Sequence, residues 1–289
     1  MKDTTHPTVA PGIGERWPAI GLGTWRLGES ASSRTREVAA VRSALELGYR
    51  VFDSAEMYGE GEAERILGEA LGDAVRAGDV RRDELFIVSK VYPHHAGTRS
   101  AIAACERSLA RLGIDALDAY LLHWPGQVPL AETIAAFETL RDRGLIRFWG
   151  VSNFDLEAME SLVAAPGGER CAINQVYFSL SQRGPAFDLL PWHQQRGIVT
   201  MAYSPIDQGA LLRNTGLRRL AAQRSTSPSQ LALAWLIDQE GVMAIPKSVY
   251  ASHLAENLQA LSLRLSVDDR VAMAREFPPP QRRTPLAVL

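Results

Sequence analysis

Residues 49–71 read YRVFDSAEMYGEGEAERILGEAL and contain one complete strand–loop–helix unit. The run YRVFDSA is short, apolar and aromatic, which is typical of a buried strand. Acidic residues follow Gly59, and carboxylates are favourable in the first turn of a helix. The stretch therefore predicts a buried strand that leads directly into a helix, the repeating unit of an α/β protein.

Seven further runs with the same character occur on either side of this unit. They are AIGLGTW (19–25), LFIVSKV (85–91), LDAYLLHW (117–124), IRFWGVSN (146–153), CAINQVYFS (171–179), GIVTMAYSP (197–205) and GVMAIPKS (241–248). Segments with helical periodicity separate the runs, for example at 35–47, 99–112, 131–142 and 228–239. Strands that are almost free of charge, joined by helical crossovers, are typical of a parallel sheet covered on both faces.

Eight such units match the size and strand count of a closed barrel better than an open doubly wound sheet. None of the runs is followed by the G-x-G-x-x-G pattern of an open dinucleotide-binding sheet. We therefore predict an α/β protein with a (β/α)8 TIM barrel. No linker-like change of composition divides the 289 residues, so residues 1–289 are expected to form a single domain.

Both ends of the chain are expected to lie outside the repeating units. Residues 1–16 are largely polar and predict a loose N-terminal segment. Ser266, the acidic residues after it and an apolar stripe within LSVDDRVAMAREF (265–277) predict an added C-terminal helix. Residues 278–289 are expected to form a tail near the barrel mouth.

The composition excludes several classes of function. Lys and Arg number 31 against 33 Asp and Glu, so the formal charge of −2 supplies no field for nucleic acid or an anionic membrane surface. No window contains the roughly 20 apolar residues that a membrane span requires. Two cysteines are too few for a disulfide framework, and the N-terminus lacks an export signal, so we expect a cytoplasmic protein. A monomer or weak homo-oligomer is expected.

Polar side chains stand at the carboxyl ends of the predicted strands, where barrel enzymes place their reactive groups. Asp53 ends VFD, Lys90 ends LFIVSK and His123 ends LDAYLLH. Later runs carry Asn153, Gln175 and Ser204 in similar places. Because buried Asp and Lys side chains are costly unless they are paired, we expect an ion pair between Asp53 and Lys90.

Tyr58 lies five residues beyond Asp53, so its phenol can lean over the barrel mouth toward Lys90. An ammonium about 4 Å away, at an effective dielectric of about 20, contributes on the order of 4 kcal/mol. Before desolvation opposes it, that attraction lowers the tyrosine pKa from about 10 by roughly three units. We therefore expect Tyr58 to donate a proton near neutral pH, with Lys90 tuning it. His123 is expected to hydrogen-bond the same substrate oxygen.

These residues lie within stretches that resemble signatures of the aldo-keto reductases, which are NAD(P)H-dependent carbonyl reductases built on a (β/α)8 barrel. The stretches are GLGTW (21–25), VFDSAEMYGEGEAERILGEAL (51–71), LLHWP (121–125) and IPKSVYASHLAEN (245–257). The resemblance implies that the family's catalytic tetrad falls on Asp53, Tyr58, Lys90 and His123. It also implies that hydride passes from a nicotinamide to a carbonyl carbon while Tyr58 protonates the oxygen.

Within the family, SKVYP, LLPWHQQ, VMAIPK and PPPQRRTPL are most similar to bacterial enzymes of the methylglyoxal reductase type. Reduction of small aldehydes and ketones, including 2-oxoaldehydes such as methylglyoxal, is therefore the expected activity. The alternative is a non-catalytic NADP(H)-binding regulatory or structural subunit, because some relatives of this fold have such roles. The intact tetrad favours the enzyme.

The resemblance also assigns cofactor contacts. These residues are Ser152, Asn153, Gln175, Tyr203, Ser204, Lys247, Ser248, His253, Glu256 and Asn257. Hydroxyl and amide side chains suit a nicotinamide carboxamide, and Lys247 with Ser248 suits the adenosine 2'-phosphate of NADPH. Many members carry Arg where this chain has His253, and an imidazole does not replace a bidentate guanidinium. NADPH is the expected cofactor, and use of NADH remains open.

Aromatic residues at the strand ends indicate a compact substrate pocket. Trp25, Tyr92 and Trp124 join Tyr58 there, and apolar walls with a few polar groups suit a small carbonyl compound. Packing of the barrel is the other explanation for the two tryptophans. His94 and His95 are adjacent and no third ligand is evident, so no metal site is expected.

Overall fold

The eight predicted runs form one parallel sheet in the computed structural model, which describes residues 7–12 and 15–289. The strands of the described residues are β1 (Thr8–Val9), β2 (Trp17–Pro18), β3 (Leu22–Gly23), β4 (Val51–Asp53), β5 (Phe86–Val91), β6 (Leu117–Leu122), β7 (Ile146–Ser152), β8 (Ile173–Tyr177), β9 (Val199–Tyr203) and β10 (Val242–Ala244). Strands β3 to β10 follow one another around the sheet in chain order. Every residue of β5 and β6 is buried, which explains why these runs lack the alternation of a half-exposed strand.

The first and last strands of the sheet meet, so the sheet closes into a barrel. Ile20 forms a parallel bridge with Ala244, and the Gly21 amide donates to the Ala244 carbonyl at 2.9 Å. The Gly23 amide donates in the same way to the Pro246 carbonyl at 3.1 Å. The predicted (β/α)8 barrel is confirmed.

Helices surround the barrel and connect its strands. They are α1 (Arg34–Leu47), α2 (Glu62–Ala77), α3 (Thr98–Leu112), α4 (Leu130–Asp142), α5 (Leu156–Ala164), α6 (Leu189–Arg196), α7 (Thr215–Gln223), α8 (Pro228–Ile237), α9 (Ala251–Gln259) and α10 (Val267–Glu276). Two helices, α7 and α8, lie between β9 and β10, so this crossover departs from the simple alternation.

The added C-terminal helix is confirmed as α10. Ser266 caps it: the Ser266 hydroxyl accepts from the Asp269 amide, and the Asp269 carboxylate accepts from the Ser266 amide. This reciprocal capping box satisfies amides that the first helical turn leaves unpaired.

The N-terminal end of the described chain folds back as a short hairpin beneath the barrel. β1 pairs antiparallel with β2, with Val9 opposite Trp17. Trp17 is 2% exposed, and its ring centroid lies 4.4 Å from that of Phe86 and 5.1 Å from that of Phe148. Phe86 begins β5 and Phe148 lies near the start of β7, so the hairpin covers the amino ends of the strands.

This hairpin corrects the prediction of a loose segment at 1–16. Val9 is buried, and polar neighbours in the sequence concealed its apolar contact with the barrel. Residues 1–6, 13 and 14 of that prediction lie outside the described residues.

No helix of the described residues has the length and apolar character needed to cross a membrane. Cys105 and Cys171 are buried and form no disulfide. Burial raises the pKa of each thiol to about 12, so neither is poised to react at neutral pH.

Candidate active site

A cavity of about 500 Å³ opens at the carboxyl ends of the barrel strands. Its lining includes most of the predicted site residues, namely Trp25, Asp53, Tyr58, His123, Trp124, Ser152, Asn153, Gln175, Tyr203, Ser204, Lys247 and His253. Volumes of this size are typical of sites for small molecules and cofactors. The cavity therefore lies at the carboxyl ends of the strands, where the sequence predicted the reactive groups.

Lys90 lies behind the cavity wall, at the centre of a polar cluster that includes the lining residues Asp53 and Tyr58. Its ammonium lies 2.8 Å from Asp53 Oδ2, and it also donates to the Ser54 carbonyl at 2.8 Å and to Tyr58 Oη at 3.0 Å. The side chain is 0% exposed. An ammonium has three N–H donors, and all three are satisfied by these contacts.

The strand register brings these groups together. Asp53 ends β4, and Lys90 is the penultimate residue of the neighbouring β5. Tyr58 follows in a short 3-10 turn, where Gly59 has a φ of 56°. A Cβ at Gly59 would lie 2.9 Å from the Leu27 carbonyl oxygen, so only glycine fits the turn that directs Tyr58 toward Lys90.

The pKa of Tyr58 shifts in the direction opposite to the prediction. Burial of the phenol raises its pKa well above 10.0, and the negative charge of Asp53 adds to the increase. The hydrogen bond from Lys90 to the phenol oxygen does not reverse this increase, and burial also lowers the pKa of the ammonium itself. The predicted lowering treated the ammonium as an isolated charge. Tyr58 is therefore held protonated at neutral pH, which is the state that a proton donor requires.

His123 lies next to Tyr58 and is held neutral. The two rings pack edge to face with centroids 5.6 Å apart. Burial, followed by the positive charge of Lys90, lowers the pKa of His123 well below 6.5. Its Nδ1 is buried and has no hydrogen-bond partner among the residues that the structure describes. Nε2 is therefore the ring nitrogen available to a molecule in the cavity.

Four of the predicted cofactor residues form a connected group on the next strands. Gln175 Nε2 donates to Asp53 Oδ1 at 2.7 Å, which joins this group to the Lys90 cluster. Asn153 Nδ2 donates to the His123 carbonyl at 3.1 Å, and Tyr203 Oη donates to Asn153 Oδ1 at 2.9 Å. Ser152 Oγ donates to the Gln175 backbone carbonyl at 2.9 Å.

Two residues with basic side chains near the C-terminal end of the chain also line the cavity. Lys247 and His253 both line it, and Lys247 makes no ion pair with another described residue. Partial burial lowers the pKa of Lys247, and the nearby carboxylates of Glu37 and Glu29 oppose the decrease. An ammonium without a carboxylate partner suits an anionic group of a ligand.

Arg26 is a cavity residue that sequence reasoning missed. Its guanidinium lies over the Trp25 ring at 4.5 Å, and its backbone φ is 66°, an unusual value for a residue with a side chain. Arg26 directly follows the GLGTW motif (21–25), and this position beside the motif was the only feature of the sequence that could have indicated it.

Several predicted residues do not line the cavity. Ser248 Oγ accepts from the Tyr250 amide at 3.1 Å, and buried Asn257 accepts from Ser229 Oγ at 2.7 Å. Glu256 lies beside Asn257 on α9. Tyr92 packs edge to face against Trp124, with centroids 5.8 Å apart, and so supports the wall from behind.

Apolar residues complete the cavity, and sequence reasoning missed most of them. They are Met57, Pro205, Ile206, Leu212, Ile245 and Leu289. Leu289 belongs to the tail that follows α10, which is also tied down by an ion pair of 2.5 Å between Arg283 and Asp188. No group of three or more His, Cys, Asp or Glu side chains that could hold a metal occurs among residues 7–12 and 15–289.

Known proteins that are similar to this chain are aldo/keto reductases. The profile of the Aldo/keto reductase family matches residues 19–276. Methylglyoxal reductase YeaE of Escherichia coli K12 is 46% identical over 274 residues, which cover 93% of this chain and 94% of that protein. Methylglyoxal reductase DkgB of Escherichia coli O157:H7 is 35% identical over 262 residues, or 89% of this chain and 92% of that protein.

A solved structure with the same architecture is the aldo/keto reductase of Klebsiella pneumoniae in complex with NADP and acetate. It superimposes with a TM-score of 0.92 and 45% sequence identity. The match covers 98% of this chain and 100% of that chain.

Proposed function

The chain belongs to the aldo/keto reductase family and is an oxidoreductase, and from this premise we propose that it reduces small aldehydes and ketones to alcohols with NADPH. Methylglyoxal and related 2-oxoaldehydes are the proposed substrates. The observation that carries the proposal is the double contact of the buried Lys90, whose ammonium lies 2.8 Å from Asp53 and 3.0 Å from Tyr58 Oη, both residues that line the cavity.

Tyr58 is the proposed proton donor. Its phenol is largely buried and is protonated at neutral pH. Tyr58 lines the same cavity as His123. As negative charge develops on the carbonyl oxygen, transfer of the phenol proton neutralises that charge. General acid catalysis of this kind contributes about 10²–10⁴-fold to a rate.

Asp53 and Lys90 act through Tyr58. Lys90 donates to Tyr58 Oη, so the ammonium stabilises the phenolate that remains after proton transfer. Asp53 holds Lys90 in place and keeps the buried ammonium paired before the reaction. In this arrangement Tyr58 stays protonated until the substrate oxygen accepts its proton.

His123 is proposed to orient the substrate carbonyl. A neutral imidazole has one N–H, and the tautomer with hydrogen on Nε2 can donate to an oxygen in the cavity. Because its pKa is far below 6.5, this histidine does not compete with Tyr58 as the proton source.

The residues present fit NADPH, which supplies the hydride when it is bound. The side-chain oxygen of Gln175 and the hydroxyl of Ser152 suit the nicotinamide carboxamide, and the Tyr203 ring offers a face to the nicotinamide. Lys247 lines the cavity and forms no ion pair within the described part of the chain, so its ammonium can bind the 2'-phosphate. The similar Klebsiella protein, whose structure contains NADP, supports this assignment.

The cavity also fits a small substrate. Trp25 and Trp124 lie beside Tyr58 and His123, so the reacting end is aromatic with few polar groups. Two relatives that are 46% and 35% identical are named methylglyoxal reductases, which supports a compact 2-oxoaldehyde.

The test is turnover of purified protein with a panel of carbonyl compounds, each supplied with NADPH and with NADH. We expect NADPH absorbance to fall with methylglyoxal, and kcat/KM with NADPH to exceed that with NADH by about tenfold, which corresponds to about 1.4 kcal/mol. Tight NADPH binding without multiple turnover on any carbonyl would contradict the proposal and support the non-catalytic subunit instead.

The proton donor is tested by Tyr58→Phe. We expect kcat to fall by about 10²–10⁴-fold while NADPH affinity is retained, because the phenol ring remains and only the transferable proton is lost. Tyr49→Phe is the matched control, since Tyr49 Oη donates to the Leu254 carbonyl on the outer side of the barrel. Unchanged turnover in Tyr58→Phe would exclude this mechanism.

A further inference from the structure

The segment that follows β9, residues 204–209, forms one wall of the cavity in a strained conformation. Ser204, Asp207 and Gln208 have φ values of 45°, 51° and 53°, and Gly209 has 89°. Residues with a Cβ rarely adopt such values, and they persist only where surrounding contacts hold them. Backbone hydrogen bonds within the segment form its turns, from the Asp207 amide to the Ser204 carbonyl and from the Gly209 amide to the Ile206 carbonyl, each at 2.9 Å. Side-chain contacts to neighbouring elements hold the segment as a whole in place.

Asp207 provides those contacts. It is the one residue of 204–209 that does not line the cavity. Its Oδ1 accepts from Tyr177 Oη at 3.1 Å and from Ser179 Oγ at 2.5 Å, and its Oδ2 accepts from Ser181 Oγ. The three donors belong to the end of β8 and the loop after it. One carboxylate thus joins two neighbouring strand-end loops.

The Asp207 carboxylate is also connected, through Tyr177, to the lining residue Tyr203. The rings of Tyr177 and Tyr203 stack with centroids 5.5 Å apart and an angle of 20° between them. Tyr203 lines the cavity and donates to Asn153. Asp207 therefore fixes, through the Tyr177 hydroxyl, the ring that supports Tyr203 from behind.

Asp207 makes no ion pair with any residue that the structure describes. Hydroxyl groups alone satisfy it, and burial raises the pKa of Tyr177 to about 12, so this donor keeps its proton at neutral pH. Unlike the surface carboxylates that pair with arginine, Asp207 is held by three hydroxyls from the neighbouring strand end and the loop after it.

We propose that Asp207 is a positioning residue, which holds residues 204–209 against β8 and thereby sets the rate at which the nicotinamide cofactor leaves the cavity. The proposal rests on the proposed function for the identity of the ligand. Loss of the carboxylate releases the strained φ values and opens this wall, whereas the Lys90 cluster on β4 and β5 stays in place. The expected signature is faster cofactor dissociation with unaltered chemistry.

The experiment compares Asp207→Ala with Asp207→Asn by stopped-flow fluorescence of NADPH. For Asp207→Ala we expect the dissociation rate and the KM for NADPH to rise by about tenfold. The rate of hydride transfer in a single turnover at saturating NADPH should stay within about twofold. Asn retains an oxygen that can accept from Tyr177 and Ser179 and tolerates a positive φ, so Asp207→Asn should remain within about threefold of wild type.

Asp238→Ala is the matched control. Asp238 lies beyond α8 and binds Arg270 on α10 at 2.6 Å, so its loss removes a carboxylate contact remote from the cavity. We expect wild-type NADPH kinetics from it. If Asp207→Ala does not fold, Ser179→Ala combined with Ser181→Ala removes two of the three donors and should accelerate dissociation in the same direction.

The outcomes separate this inference from the proposed function. Wild-type protein that binds NADPH without turning over carbonyls contradicts the function, and the dissociation rates still decide the role of Asp207. NADPH kinetics in Asp207→Ala, or in the double serine variant, that match wild type within about twofold overturn the inference. Equal acceleration in Asp238→Ala also overturns it, because the effect would then reflect general loss of stability. Failure of wild type to bind NADPH overturns both.

Discussion

At the amino ends of its strands the barrel is closed by the rings of Trp17, Phe86 and Phe148, whereas at the carboxyl ends it opens on a cavity lined by Asp53, with Lys90 buried behind it. The closed end buries apolar surface, which is the main favourable contribution to folding. The open end buries two charges that gain little net stability from their pairing. Stability and chemistry are therefore concentrated at opposite ends of one closed sheet.

This separation explains the direction of the pKa shifts. At the open end, removal of water keeps Tyr58 protonated and His123 neutral, and these are the states that the proposed reaction needs. Three changes test the comparison, from the largest effect to the smallest.

The largest effect is expected from breaking the ion pair at the open end. Lys90→Met leaves the buried Asp53 without its cation, which should cost about 3–5 kcal/mol of stability and also lower kcat by about 10²-fold or more. Adding Asp53→Asn removes the unpaired charge and keeps an acceptor for Gln175. The double variant should therefore recover most of the stability and none of the activity, as measured by denaturant unfolding and turnover. Recovery of activity along with stability would show that the pair is structural.

A tryptophan pair compares the two ends directly. Trp17→Ala should lower the free energy of unfolding by about 3–5 kcal/mol, because it opens a void among packed aromatic rings. Its kcat should be unchanged at temperatures where the protein is folded. Trp25→Ala at the open end should raise the KM of the carbonyl substrate with a smaller loss of stability, since Trp25 is only partly buried. Similar stability losses at both positions would contradict the division of roles.

The smallest effect concerns two buried histidines. Burial lowers the pKa of His193 to about 3, and its ring nitrogens contact Asn174 and Thr200 in the barrel wall. The unfolded chain takes up a proton near pH 6.5, whereas the folded chain does not, so stability falls as pH drops from about 6.5 toward 3. Each such group contributes about 1.4 kcal/mol per pH unit in that window.

His193→Gln should therefore reduce the slope of unfolding free energy against pH, measured between about pH 6 and 4, by the equivalent of one proton. His123→Gln should reduce the slope in the same direction, because burial also lowers its pKa. Only the variant at the open end, His123→Gln, should change kcat/KM for the carbonyl. An unchanged slope in His193→Gln would show that this histidine is protonated in the folded protein.

Local patterns were sufficient for most of the barrel. Each strand is a short, largely apolar run with at most one charged residue, so β3 to β10 were recognisable from the composition of neighbouring residues. Ser266 and Asp269 likewise marked the start of α10 because a capping box is a contact within one turn. The hairpin of β1 was missed since its apolar contacts are made with strands far along the chain.

The residues of the site also divide into those that the local sequence indicated and those that it did not. Placement of Asp53, Lys90 and His123 at strand ends indicated the cluster, because parallel neighbours in a barrel bring those ends together. Arg26 and Asp207 carried no such signal. Their roles depend on a left-handed backbone and on partners from other loops, and neither property is visible in a single run of residues.

By itself, the sequence determined the number and order of the units, the family resemblance and the polar residues that the barrel presents at its mouth, because spacing and periodicity are local. Only the tertiary structure decided how those residues behave. The direction of the Tyr58 pKa shift, the closed lower end and the contacts of Asp207 all depend on which distant groups exclude water or share a charge. Desolvation and pairing are properties of the assembled environment, so they emerge only when the barrel closes.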